Sequence, residues 1–328
     1  MPGSSSRRAR WAQRPPAAGA AVLATGILSV GLQSAGYGVL SRVALALAGA
    51  AWVALGADFV VRLVRERERW SAEAGAPGGL TAVAATTVLG TRVSALGRQS
   101  LAWALLALSA VLWPVLMAGV VRHVVRHVVG HLGRMRGDVF LCCVATQGLA
   151  VLGATLAKAE AVAWPAHTAL VLFWLGLLLY VPMPALFDWR QLTEGAGDQW
   201  VAGGAPAVSA LAGASLITAD RGELYLWSAD DRGVLRVVTA ALLVLALCWY
   251  AVLLVAEVLR PRPRYDVRRW ATVFPMGMTA VATSAVAAAL RVPWLKGPGE
   301  VLLWVAVAAW LAVASAAAGA RVRSTGPR

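Results

Sequence analysis

Apolar residues run along this chain in stretches of about twenty, the length that crosses a bilayer's hydrocarbon core as a helix, and polar residues gather between them. Ten such stretches are readable, at 20–38, 43–61, 80–97, 101–121, 138–157, 167–187, 198–217, 235–257, 270–290 and 300–320. The longest polar connections, near 62–79, 122–137 and 218–234, are short, so no separate soluble domain is expected. The pattern predicts an all-α integral membrane protein. A basic tail covers 1–19, a ten-helix transmembrane domain 20–320, and a second tail 321–328.

The stretches alternate in kind. Gly, Ser, Thr, Gln and Asn total 31 in the odd stretches and 9 in the even ones. Unpaired polar groups are costly in hydrocarbon, so Leu-, Val- and Trp-rich helices belong against lipid. Small residues let helices approach closely, and hydroxyls or amides line protein interiors or watery paths. The expectation is an inner ring of five odd helices around a central pore, with the even helices outside. Successive helices then form five hairpins. Close packing alone is the plainer explanation for any single helix. Thr25, Thr86, Thr87, Gln147, Ser209 and Thr279 are the candidate pore-lining residues.

Composition agrees with a membrane location: 59% of residues are apolar and 14% charged, against roughly 25% charged in soluble domains. The net charge is +14, from 30 basic and 16 acidic residues. A basic balance can mark nucleic-acid binding, but these charges sit between apolar runs and no nucleic-acid partner is expected. With the N-terminus in the cytoplasm, 21 of the 30 basic residues fall on the cytoplasmic side, as the positive-inside rule requires. Both termini are then cytoplasmic, in a multi-pass protein of the plasma membrane (the bacterial inner membrane). The N-terminus resembles a signal peptide, yet its apolar run is long enough to span and the topology needs it.

No acidic residue lies in the middle of an odd stretch. Cation channels and proton-coupled carriers usually place one there, which favours anions. Arg92, within the third stretch, and Arg268 and Arg269, at the mouth of the ninth, could concentrate anions; ordinary topology and snorkelling are the alternatives. Cys142, Cys143 and Cys248 form neither a disulfide framework nor a metal motif. His123, His127 and His131 share a helical face without a carboxylate or cysteine partner, so neither metal nor cofactor is expected. "SADDRG" at 228–233, the one acidic cluster, has no nearby His for a membrane-embedded enzyme.

One stretch departs from the rest. "WATVFPMGMTAVA", 270–282, carries Phe274-Pro275 and then Gly277 inside a span. Proline removes a backbone donor and disturbs the preceding turn, so a break or kink is expected. Phe274 is the only Phe within the body of an odd stretch. With "ATGILSVGLQ" and "GDQWVAGGAPAVSALAGASL", this segment resembles the tellurite-resistance/C4-dicarboxylate transporter family, which also contains the plant guard-cell slow anion channels. The resemblance implies a pore lined by the odd helices, a homotrimer with one pore per subunit, and a phenylalanine plug that maps onto Phe274. The expected solute is a small anion: malate or another C4-dicarboxylate, tellurite, chloride or nitrate. A packing Phe at a proline kink is the alternative for Phe274, and a non-transporting scaffold or sensor the alternative for the whole chain.

Overall fold

The computed structural model describes residues 18–65, 75–128, 135–220, 226–261 and 265–325. Among these the chain is helical throughout, with no strand beyond an isolated bridge between Met135 and Phe187. The ten long helices are α1 (Ala18–Ser34), α2 (Gly38–Arg65), α3 (Thr81–Ser94), α4 (Gln99–Val128), α5 (Leu141–Glu160), α6 (Ala163–Tyr180), α7 (Val201–Ala219), α8 (Ala229–Leu259), α9 (Trp270–Leu290) and α10 (Lys296–Thr325). Eight helical segments, carrying α2 and α4 to α10, are long and apolar enough to cross a membrane. The helix of α1 is shorter, and α3 has 14 residues plus a 3₁₀ turn, Pro77–Leu80, that leads into it.

The odd helices form the interior. The apolar windows of the segments holding α5, α7 and α9 are 94%, 89% and 78% buried, while those of α2 and α10 are 6% and 11% buried. Each odd helix packs on the next odd helix, and α9 closes back onto α1. Each odd helix also packs on the even helix that follows it. The even helices turn large aliphatic side chains outward, among them Val43, Val111, Leu178, Val237 and Val301.

Backbone geometry explains four of the five pairings of an odd helix with its successor. Four odd-to-even connections turn through a residue of positive φ: Gly36 (89°), Gly97 (77°), Ala161 (54°) and Arg291 (62°). A left-handed residue ends a helix abruptly and lets the next begin within a few residues. Four odd helices also start through a 3₁₀ turn: Pro77–Leu80, Gly137–Phe140, Asp198–Trp200 and Val267–Arg269. This repeat of architecture has no counterpart as a sequence repeat.

Helix α9 is not broken. It runs continuously from Trp270 to Leu290 with Pro275 inside it, at its sixth residue. Proline there forfeits only the bond to Ala271, in the first turn, where few intrahelical bonds have yet formed. Pro206, the sixth residue of α7, is accommodated in the same way, whereas Pro114 lies in the middle of the continuous helix α4.

Candidate functional site along the ring axis

The five odd helices meet around a small axial cavity of about 20 Å³, lined by Ile27 and Val30 (α1), Thr87, Val88 and Thr91 (α3), Gly148 and Val151 (α5), Val208 and Leu211 (α7), and Met278 (α9). That volume holds about one water molecule. The lining is aliphatic except for two threonines, and both hydroxyl protons are committed to backbone carbonyls: Thr87 Oγ1 donates to Ala84 at 2.9 Å and Thr91 Oγ1 to Thr87 at 2.9 Å. No charged side chain lines the cavity.

Helical periodicity identifies the layer one turn nearer the N-terminal ends. Residues i and i−4 share a face, so Phe274 lies below Met278, Gly204 below Val208 and Leu23 below Ile27. Phe274 is 1% exposed and Leu23 is equally buried. The Phe274 ring is seated because Gly204 has no side chain: a Cβ there would lie 3.2 Å from Phe274 Cε1 and 3.0 Å from Pro275 Cγ. Gly277 plays the same part on the other flank of α9, where a Cβ would meet Ile27 Cγ2 at 3.0 Å. The Phe-Pro-x-Gly spacing therefore fits α9 between α7 and α1 with the ring at the inward-facing layer.

Of the six candidate lining residues, Thr87 alone reaches the cavity. Thr25 accepts a hydrogen bond from Trp310 Nε1 of α10, and Thr86 one from Trp52 Nε1 of α2, each at 2.9 Å. Gln147 Nε2 donates to the Phe173 carbonyl of α6 at 3.0 Å. Ser209 Oγ lies 3.7 Å from Cys143 Sγ of α5 and donates to its own helix at Ala205. Thr279 donates to the Pro275 carbonyl at 2.8 Å and is fully buried. Thr25, Thr86, Gln147 and Ser209 thus reach groups on neighbouring helices, whereas Thr279 bonds within its own helix.

A further regularity was not readable in the sequence. Trp52 of α2 donates to Thr86 of α3, Trp113 of α4 to Thr146 of α5, and Trp310 of α10 to Thr25 of α1, each at 2.9 Å. Each threonine in turn donates to the carbonyl four residues earlier, at 2.7–2.8 Å. Every such bond ties an even helix to the next odd helix around the ring. The sequence signal, a Trp in an even stretch and a Thr in the following odd one, is too loose to find without coordinates.

The basic candidates divide. Arg268 pairs with Asp266 (Nη2–Oδ2 2.9 Å) and Arg269 with Glu257 of α8. Both therefore carry their own counter-charge, and Asp138 and Asp198 stand in the neighbouring 3₁₀ turns. The mouth of α9 is consequently not a free positive funnel. The Arg268 hydrogen bonds hold the Asp266 carboxyl below the usual carboxylate range. Arg92 differs: it is 1% exposed, reaches from α3 to α1 and α2, and has no carboxylate partner among the described residues. The Asp58–Arg62 pair forms one turn apart at 2.8 Å.

The acidic stretch at 228–231 caps a helix: Ser228 Oγ accepts from the Asp231 backbone N–H at 3.1 Å at the start of α8. His123 is in α4, while the side chain of His127 and all of His131 lie outside the described residues, as do residues 1–17 and 326–328. No group of three potential metal ligands occurs among the described residues.

The family profile for voltage-dependent anion channels matches residues 13–318. The chain belongs to that family. It is also similar to the uncharacterized membrane proteins MT1776 and Rv1735c of Mycobacterium tuberculosis (strains CDC 1551 / Oshkosh and H37Rv), each 33% identical over 141 residues. Those alignments span 41% of this chain and 65% of each relative. The family is one of membrane channels and transporters, and membership supports anion passage through the membrane.

Proposed function

We propose that this family member carries small anions along the axis of its odd-helix ring, and that Phe274 closes the path. Ten spans form five hairpins in this reading, with the N-terminal ends of the odd helices toward the cytoplasm. The observation that carries it is the axial cavity, to which all five odd helices contribute and no carboxylate does. A carboxylate-free path does not concentrate cations. A narrow apolar constriction blocks ions by dewetting, and the Phe274 layer is such a constriction. Chloride, nitrate, malate or another C4-dicarboxylate, and tellurite are all solutes of the class this path would take. A homotrimer with one path per subunit, in a bacterial plasma membrane with both termini cytoplasmic, is the assembly we expect. The family and the helix-capping role of the acidic cluster favour transport over an enzymatic activity.

Reconstitution in liposomes tests the anion reading. Efflux of chloride, nitrate and malate from vesicles holding the purified protein should exceed that of potassium or sodium. Cation flux larger than anion flux would overturn the charge argument, and no flux in any variant would leave a scaffold or sensor as the better account.

A further inference from the structure

Arg92 is the most deeply buried cation among the described residues, and the groups it bonds are neutral. Its Nε donates to Ser41 Oγ of α2 at 3.0 Å and its Nη2 to Gln33 Oε1 of α1 at 2.8 Å. Its Nη1 is buried without an acceptor among the described residues. A buried guanidinium normally has a carboxylate, because an uncompensated charge in a low-dielectric interior is strongly unfavourable. Here only neutral oxygens face it.

The frame around the guanidinium is rigid. Ser29 and Ser41 bond reciprocally across the α1–α2 crossing: Ser29 Oγ donates to the Ser41 carbonyl and Ser41 Oγ to the Ser29 carbonyl, each at 2.7 Å. Ser41 Oγ thereby spends its proton on α1 and presents a lone pair to Arg92. On the other side, Gln33 is an exposed residue, so its amide can swing away and free the Nη2 N–H that it holds, beside the buried Nη1. Arg92 follows Thr91, which lines the axial cavity, but consecutive helical residues point about 100° apart, and the guanidinium turns toward α1 and α2, so the site lies in the wall of the ring near the C-terminal ends of α1 and α3.

We infer that Arg92, framed by Ser41 and capped by Gln33, is a binding site for a small inorganic monoanion such as nitrate or chloride. One guanidinium supplies one compensating charge, and its planar fork suits a trigonal oxyanion. The neutral Ser and Gln partners keep the site weak, as a path that must release its ion requires. The inference deepens the anion reading above by naming a site and a ligand class.

The test is thermal unfolding of the purified full chain in detergent, with sodium nitrate or chloride titrated against sodium gluconate at constant ionic strength. The wild type should show a midpoint that rises with nitrate and saturates. Arg92→Gln should abolish the rise, and Arg92→Lys should keep part of it. Gln33→Glu is the second variant, because it supplies the missing carboxylate. It should raise the midpoint in gluconate and abolish the nitrate response, whereas a merely structural arginine would leave that response unchanged. In vesicles, Gln33→Glu in the Phe274→Ala background should raise the half-saturating nitrate concentration at least about tenfold, equivalent to roughly 1.4 kcal/mol. An equal nitrate response in wild type, Arg92→Gln and Gln33→Glu overturns the site, as does the lack of any anion-specific response in the wild type. A response lost in the variants but accompanied by no flux keeps the site and removes the transport reading.

Discussion

Phe274 and Gly204 are a matched pair. The ring occupies the space that a side chain on α7 would need, with Phe274 Cε1 3.2 Å from the Cβ position of Gly204. Gly204→Val should therefore cost about 1–3 kcal/mol through overpacking, read as a lower unfolding midpoint in detergent, and Phe274→Ala should rescue part of that loss. Asp266 offers a second test at this scale. Its carboxyl is held low by Arg268, so the pair's stabilisation is present above the unfolded carboxylate pKa of about 3.9 and disappears as pH falls through the lower folded value. Asp266→Asn should flatten the decline of the unfolding midpoint below about pH 4 and leave the neutral-pH slope unchanged. A variant with the same acid limb as the wild type would contradict the pairing. At this scale the sequence was informative in part. The position of Phe274 in an odd stretch was legible, and so was the absence of acids from the stretch interiors. Which way Thr25, Thr86 and Gln147 face was not, because polarity says that a side chain needs a partner without saying on which helix the partner lies.

Among elements, the alternation of small-polar and bulky-apolar stretches was the most informative signal, since it separates the helices that are buried from those that are exposed. The signal arises because lipid and protein impose opposite demands on side-chain size. The break expected at Pro275 did not follow, because proline near a helix start gives up a single backbone bond. The left-handed turns at Ala161 and Arg291 were invisible for a related reason: neither residue favours positive φ. Non-glycine residues there carry a penalty of roughly 1–2 kcal/mol, so Ala161→Gly should stabilise the protein by about 1 kcal/mol. A lower midpoint for Ala161→Gly would contradict the strained turn. The Trp–Thr bonds between adjacent helices predict a smaller effect of opposite sign. Trp113→Phe should cost about 0.6 kcal/mol and at most roughly 1.7 kcal/mol, and the Trp113→Phe/Thr146→Val double variant should be non-additive if the 2.9 Å bond operates in the bilayer.

For the molecule as a whole, the ring of odd helices places their like ends together. The mouth of α9 carries paired charges at Arg268 and Arg269, while Arg92 lies toward the opposite end of the ring without a counter-charge. Between them the axis is apolar and holds a cavity of about 20 Å³, too small for a hydrated anion. In the proposed reading this is a closed path, with Phe274 one helical turn below the cavity. Removing the ring should open it while leaving the inter-helix Trp–Thr bonds and the turns intact. The most direct measurement is nitrate efflux from liposomes bearing equal amounts of wild-type and Phe274→Ala protein, each monodisperse in detergent beforehand. Low flux is expected for the wild type and clearly higher flux for Phe274→Ala. Equal flux from the two would contradict closure by Phe274.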